Sequence, residues 1–200
     1  MTDSMRTISV CLVAALGLSA GSTANESPAV PKVLDLFQRL QSAERQKAMK
    51  KPGERVKFRF SEAEVNEYAA HALRTTPRPG LQSLIVRISR NDYYSFQAVI
   101  DFDAVENWRP GTIPALLKPV LSGKKAVALD YTIQAQDGMV KPLLEKASFE
   151  NIPLPSIFVE KLIEIVAARQ PEHYDTTKPV PLPFGLRKVW TGDKVVMGEN

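Results

Sequence analysis

Three groups of side chains in this sequence have types and spacings that could support chemistry. In FSEAEVNEYAAHALR, residues 60–74, Glu64, Glu67 and His71 fall on one side of a helix, within about 60° of each other. Two carboxylates and an imidazole so placed could share a metal ion or pass a proton. A carboxylate-bridged dimetal site, however, takes Glu-x-x-His from each of two helices together with further glutamates. Here the spacing is Glu-x-x-x-His and it occurs once. Ser61 and Glu64 instead form the S-x-x-E pattern that satisfies the free amides at a helix start. The face carrying Glu64, Glu67, His71 and Arg74 is therefore expected to face water. Asp101, Asp103 and Glu106 form D-x-D-x-x-E, which could bind calcium, but the glycine pattern of an EF-hand loop is missing. They are expected to be hydrated acids at a strand end. His173 lies between Glu172 and Asp175, yet a histidine base needs a nucleophile beside it. No G-x-S-x-G serine is present, and Ser83 and Ser122 sit in no motif. No glycine-rich loop would cradle a phosphate. These absences point away from an enzyme, and toward a protein without a metal or other cofactor.

The elements that would carry such residues are legible from periodicity. Val33, Leu34, Phe37 and Leu40 predict a first helix over 31–51, ended by Pro52-Gly53, with its basic second half projecting into solvent. A second helix follows the Ser61 cap and stops before Pro77. Its apolar residues Val65, Tyr68, Ala69, Ala72 and Leu73 fill an arc of about 140°. The period then changes to two. Leu84, Val86 and Ile88 point inward on one strand, and Tyr94, Phe96, Ala98, Ile100 and Phe102 on the next, joined by an Asn91-Asp92 turn. Val127, Leu129, Tyr131, Ile133 and Ala135 share a face on a third strand, and Asp137-Gly138 turns it into a fourth. Pro142 marks that fourth strand as an edge or bulge. Thr191-Gly192-Asp193 predicts a last hairpin. Between the second and third strands runs a long proline-bearing crossover, a length that in a compact domain usually serves function or mobility. The segment 156–169 predicts a helix on which Phe158, Val159, Leu162, Ile163, Ile165 and Val166 span about 160°, wide enough to need more than one surface. The predicted fold class is α+β: a twisted antiparallel sheet of hairpins wrapped around or packed on two amphipathic helices, with an N-terminal helix.

The first 24 residues read as a cleavable secretory leader, cut before Asn25. The apolar run in it is about 14 residues, short of the ~20 that span a bilayer. The domains expected are thus a leader over 1–24, an N-terminal helix and linker over 25–54, and a single domain over 55–200. The chain's one cysteine, Cys11, lies inside the leader, so the remaining 176 residues (200 less 24) hold no disulfide and no thiolate site. A protein of that size relies on its core, and the expected location is periplasmic or secreted. The net charge of +4 allows contact with an anionic membrane surface. No basic run interleaved with aromatics points to nucleic acid.

The segments FSEAEVNEY, FENIPLPSIFVEKLI and LPFGLRKV, with two amphipathic hairpins and a proline-bearing crossover between them, resemble small exported bacterial envelope proteins related to LmeA. More broadly they resemble the TULIP superfamily of tubular lipid-binding proteins, which includes BPI-like and SMP-like domains. The resemblance implies binding of a lipid or other long apolar molecule along a seam between helix and sheet, and it implies no catalytic residues. The single short unit implies a groove, or a tunnel built by a homodimer. On this reading the ligand is lined by Val65, Tyr68, Leu73, Tyr94, Phe96, Ile100, Phe102, Leu129, Tyr131, Phe158, Leu162, Ile165 and Val166. The alternative is an envelope interaction or assembly protein with a solid core, working through the basic helix end and the crossover.

Overall fold

The computed structural model describes residues 28–49, 53–108, 110, 111, 113, 115–155, 157, 159 and 178–200. Its architecture is α+β, with all strand pairs antiparallel and the sheet not closed into a barrel. Helix α1 spans Ala29–Ala48. Its buried stripe runs Ala29, Val30, Val33, Leu36, Phe37, Leu40 and Ala43, so burial continues one step beyond Leu40 before the basic end reaches solvent. Strand β1 (Lys57–Ser61) was not foreseen; Phe58 and Phe60 alternate too briefly to be told from a linker. It pairs with β9 (Val195–Glu199), which pairs in turn with β8 (Lys188–Gly192). The turn of this last hairpin lies at Asp193 and Lys194, sharing Asp193 with the expected turn and shifted one residue past it, while Thr191 and Gly192 belong to β8.

The larger sheet orders β2 (Leu81–Ser89), β3 (Tyr93–Asp101), β4 (Lys124–Gln136), β5 (Met139–Phe149) and β6 (Ile152–Leu154), while β7 (Val180–Pro181) pairs with the other end of β5. Both expected turns place their central residues at positive φ: 63° and 58° at Asn91 and Asp92, 52° and 78° at Asp137 and Gly138. That backbone matches the twist of the flanking strands. Glu150 and Asn151, at 51° and 66°, make a further turn of this kind into β6. One strand expectation needs correction. Phe102 does not continue β3. The Asp101 carboxylate accepts the Ala104 N–H at 3.1 Å, and the chain turns there into a short helix, α3 (Phe102–Trp108). The Phe102 ring instead lies against Phe149, with centroids 6.2 Å apart.

Helix α2 (Glu62–Thr75) begins with the predicted capping box: Ser61 accepts from the Glu64 amide, and Glu64 accepts from the Ser61 amide. It then runs along the outer edge of β2. The Asn66 side chain donates to the Val86 carbonyl and accepts from the Val86 N–H, both at 2.7 Å. Glu62 accepts the Ile88 N–H, also at 2.7 Å. Side chains thus substitute for a neighbouring strand at an edge that would otherwise offer open pairing groups. Helix α1 packs across α2 through Phe37 and Tyr68, at 5.9 Å between centroids, and through a Lys32–Glu64 ion pair of 2.5 Å.

The core gathers α1, α2, β1, β9 and the turn end of the large sheet, around Leu40, Val56, Val86, Ile88, Tyr94, Phe96, Val140 and Leu186. Hydrogen bonds lock the two sheets there: Asp92 and Thr191 exchange two bonds of 2.8 Å, and the Lys194 amide donates to the Ile88 carbonyl at 3.1 Å. The leader, and the 156–169 segment except Ile157 and Val159, lie outside the described residues.

Candidate functional site

The strand registers assemble one continuous apolar face. Residues opposed across antiparallel strands share a side of the sheet. Starting from Phe96, the same side therefore carries Leu84, Val86 and Ile88 of β2, Tyr94, Ala98 and Ile100 of β3, and Val127, Leu129, Tyr131, Ile133 and Ala135 of β4. A bulge between Asp130 and Tyr131 shifts β5 by one residue. The face continues through Val140, Pro142, Leu144, Ala147 and Phe149, then Leu154 and Ile152 of β6.

This face has two unlike halves. At the turn end it is filled: Val86, Ile88, Tyr94, Phe96, Ala135 and Val140 are buried under α1, α2 and the small sheet. Tyr94 stacks on Phe96 with centroids 6.1 Å apart, and Phe96 meets Tyr131 at 6.0 Å. Burial pushes the Tyr68 hydroxyl's pKa up to about 12, and raises those of Tyr94 and Tyr131. At the other end the same face is half-buried at Ala98, Ile100, Val127, Leu129, Leu144, Phe149 and Leu154, with Ala147 buried among them, while Leu84 packs against the filled half. Lys125, opposite Ile100, ends the row.

The expected ligand-lining residues divide along this boundary. Tyr68, Tyr94 and Phe96 belong to the filled half. Val65 and Tyr131 pack against it while half-buried, and Leu73 is half-buried on α2. Ile100 and Leu129 stand in the open half, and Phe102 borders it from the start of α3. Phe158, Leu162, Ile165 and Val166 lie outside the described residues. Leu144, Phe149 and Leu154 join the open half without having been expected there. The bulge breaks the alternation of β5, and a Glu-Asn turn carries little sequence signal.

The acid-and-histidine clusters serve the fold. His71 is corrected from the solvated face to the interior: it is 7% exposed and stacks on Tyr68. Helix α1 covers the flank of α2 on which Glu64 and His71 lie. At Glu64 burial works against ionisation, but the Lys32 ion pair and the Ser61 hydrogen bonds outweigh it, and the pKa falls. Glu67 is exposed, as expected. Glu106 accepts the Gly111 and Ile113 amides at 3.0 Å each and pairs with Lys118 at 2.8 Å. Among the described residues no three His, Cys, Asp or Glu side chains gather where a metal could bind. A separate shallow cleft at the end of α1 is lined by both charges, Glu44 and Glu54 against Lys47, Arg55 and Arg187. No protein-family model, curated protein or solved structure matches the chain.

Proposed function

We propose that this is a non-enzymatic periplasmic protein that holds a lipid or other long apolar molecule against the open half of its sheet. The observation that carries this reading is the continuity of the inner face. The apolar row that makes the core at one end runs on, strand by strand, beyond the residues that α1, α2 and the small sheet bury, to half-buried positions around Ala147. Apolar surface left in water costs about 25 cal/mol per Å², and contiguous patches of it usually mark a binding surface. Ligand sites are mainly apolar, with few polar groups to fix orientation. The Ile100–Leu129 half fits that description, with Lys125 at its end. The leader read from residues 1–24 supports export.

The test is native mass spectrometry of the mature protein, purified from a bacterial periplasm without detergent, with solvent extraction of whatever accompanies it. A bound species of lipid mass is expected. Ile100→Glu and Leu129→Glu change half-buried positions, so the variants should fold, as circular dichroism would check, and lose that species. A bare polypeptide mass, with no uptake of added phospholipid or fatty acid, would overturn the reading in favour of an assembly protein with a solid core.

A further inference from the structure

The crossover between β3 and β4 hangs from the open end of the sheet. Its ends meet, the Phe102 amide donating to the Gly123 carbonyl at 2.9 Å. It is well tied internally. Glu106 binds the Gly111 and Ile113 amides and Lys118, and Ile113 is buried. A loop so held could have turned its large apolar residues inward. Instead Trp108 is 66% exposed and Val120 56% exposed, and Pro110 and Pro119 are exposed beside them in sequence. On a helical wheel Trp108 falls about 60° from Val105. It thus extends the apolar side of α3 past the point where the Gly80 turn, packed on Val105, gives it cover. Ile152, opposite Phe149 at the same end of the sheet, is 64% exposed.

We propose that this end of the molecule docks on an anionic lipid bilayer, with Trp108 and Val120 entering the headgroup region and Lys124 and Lys125 meeting the headgroups. The carrier reading gives the docking its purpose, since the open half of the sheet would then face the membrane from which cargo is drawn. Tryptophan is favoured at the membrane–water interface because its ring is apolar and its N–H is not. A few isolated apolar side chains on a loop tip are a poor seat for a folded protein, which needs about 800 Å² on each side. A fluid interface makes no such demand. Charge agrees: residues 101–125 hold four bases (Arg109, Lys118, Lys124, Lys125) and three acids (Asp101, Asp103, Glu106). The Glu106–Lys118 pair cancels, and Asp101, a helix cap, lies across the strand pair from Lys124, which leaves a net charge of +1. Lys124 and Lys125 have no ion-pair partner among the described residues. Basic residues next to an inserted apolar group strengthen attraction to anionic lipid.

The chain has two tryptophans, so Trp190→Phe leaves Trp108 as the sole reporter. The mature Trp190→Phe protein would be mixed with phosphatidylglycerol–phosphatidylcholine vesicles. Its emission is expected to shift to the blue and to be quenched by lipids brominated near the headgroup. Trp108→Ser should lower flotation with these vesicles by roughly tenfold or more, given the large area of a tryptophan ring, without moving the thermal midpoint. Lys124→Glu with Lys125→Glu should remove the preference over pure phosphatidylcholine. Emission unmoved by vesicles, or Trp108→Ser floating like the parent, would overturn the proposal. A blue shift that grows with protein concentration in the absence of vesicles would also overturn it, by assigning the patch to a second copy of the chain. Native mass spectra of the same samples keep the two readings apart. Cargo retained without vesicle binding defeats the docking alone, and docking by a bare polypeptide defeats the carrier alone.

Discussion

Asn66→Ala isolates the contact between α2 and the edge of the large sheet. Asn66 makes three hydrogen bonds: its amide nitrogen donates to the Glu62 and Val86 carbonyls at 2.8 and 2.7 Å, and its oxygen accepts the Val86 N–H at 2.7 Å. Alanine removes all three and keeps helix propensity, which would slightly favour the variant. The Glu62 carbonyl retains its helical environment, so the loss falls mainly on Val86. Its N–H and C=O face α2 rather than another strand, and its side chain is 2% exposed. Each hydrogen bond contributes about 0.5–1.5 kcal/mol net, and a buried group left without a partner costs about 1–3 kcal/mol. These contacts are partly buried, and water can enter the space left by the amide. The expected loss is therefore about 2–3 kcal/mol, or a fall in Tm of roughly 4–12 °C for a chain of this size. Urea denaturation of the mature protein, followed by tyrosine fluorescence and far-UV circular dichroism, would measure it. Asn66→Asp should cost at least as much, because it keeps the acceptor for the Val86 N–H but sets a negative oxygen against the Val86 carbonyl. A loss below about 0.5 kcal/mol for Asn66→Ala, the range of an ordinary surface change, would refute the claim that side chains complete this edge.

His71→Ala should lower stability by about 1–3 kcal/mol, as truncation of a packed buried ring does, and leave the metal content by elemental analysis unchanged; an unaltered midpoint would return His71 to the solvated face. The Glu106 carboxyl is held down to a pKa of about 2, first by Lys118 and then by the Gly111 and Ile113 amides. A depressed folded pKa means that the stabilisation is present above the ordinary carboxylate range and is lost as pH falls from about 4.5 toward about 2. Hydrogen exchange should therefore show the Gly111 and Ile113 amides protected at neutral pH and losing protection across that acid window, and Glu106→Gln should weaken their protection at neutral pH. Equal protection in the parent at both ends of the window would rule out the carboxylate as the tie.

Local rules alone determined much of this protein. The Ser61–Glu64 cap, the turns at Asn91-Asp92 and Asp137-Gly138, and the inward rows of β2, β3 and β4 each depend on a few neighbouring residues, so they are readable one segment at a time. What depends on two segments at once was not readable. Phe102 looked like the next inward strand residue until Asp101 capped a helix there. Strand β1 is too short to announce itself without β9 beside it. The bulge opposite Asp130 and Tyr131 reassigned the faces of β5, which single-strand alternation cannot foresee. His71 lies on the polar side of its own helix yet is buried, on the flank where α1 brings Lys32 to Glu64 and Phe37 to Tyr68. The candidate site follows the same division. That Ile100 and Leu129 are apolar and point inward was written in a period of two. That Tyr94 and Phe96, on the same row, are sealed while Ile100 and Leu129 stay half-open was decided by where α1, α2 and the small sheet come to rest. Burial is set by packing between elements far apart in the chain, and no local pattern records it.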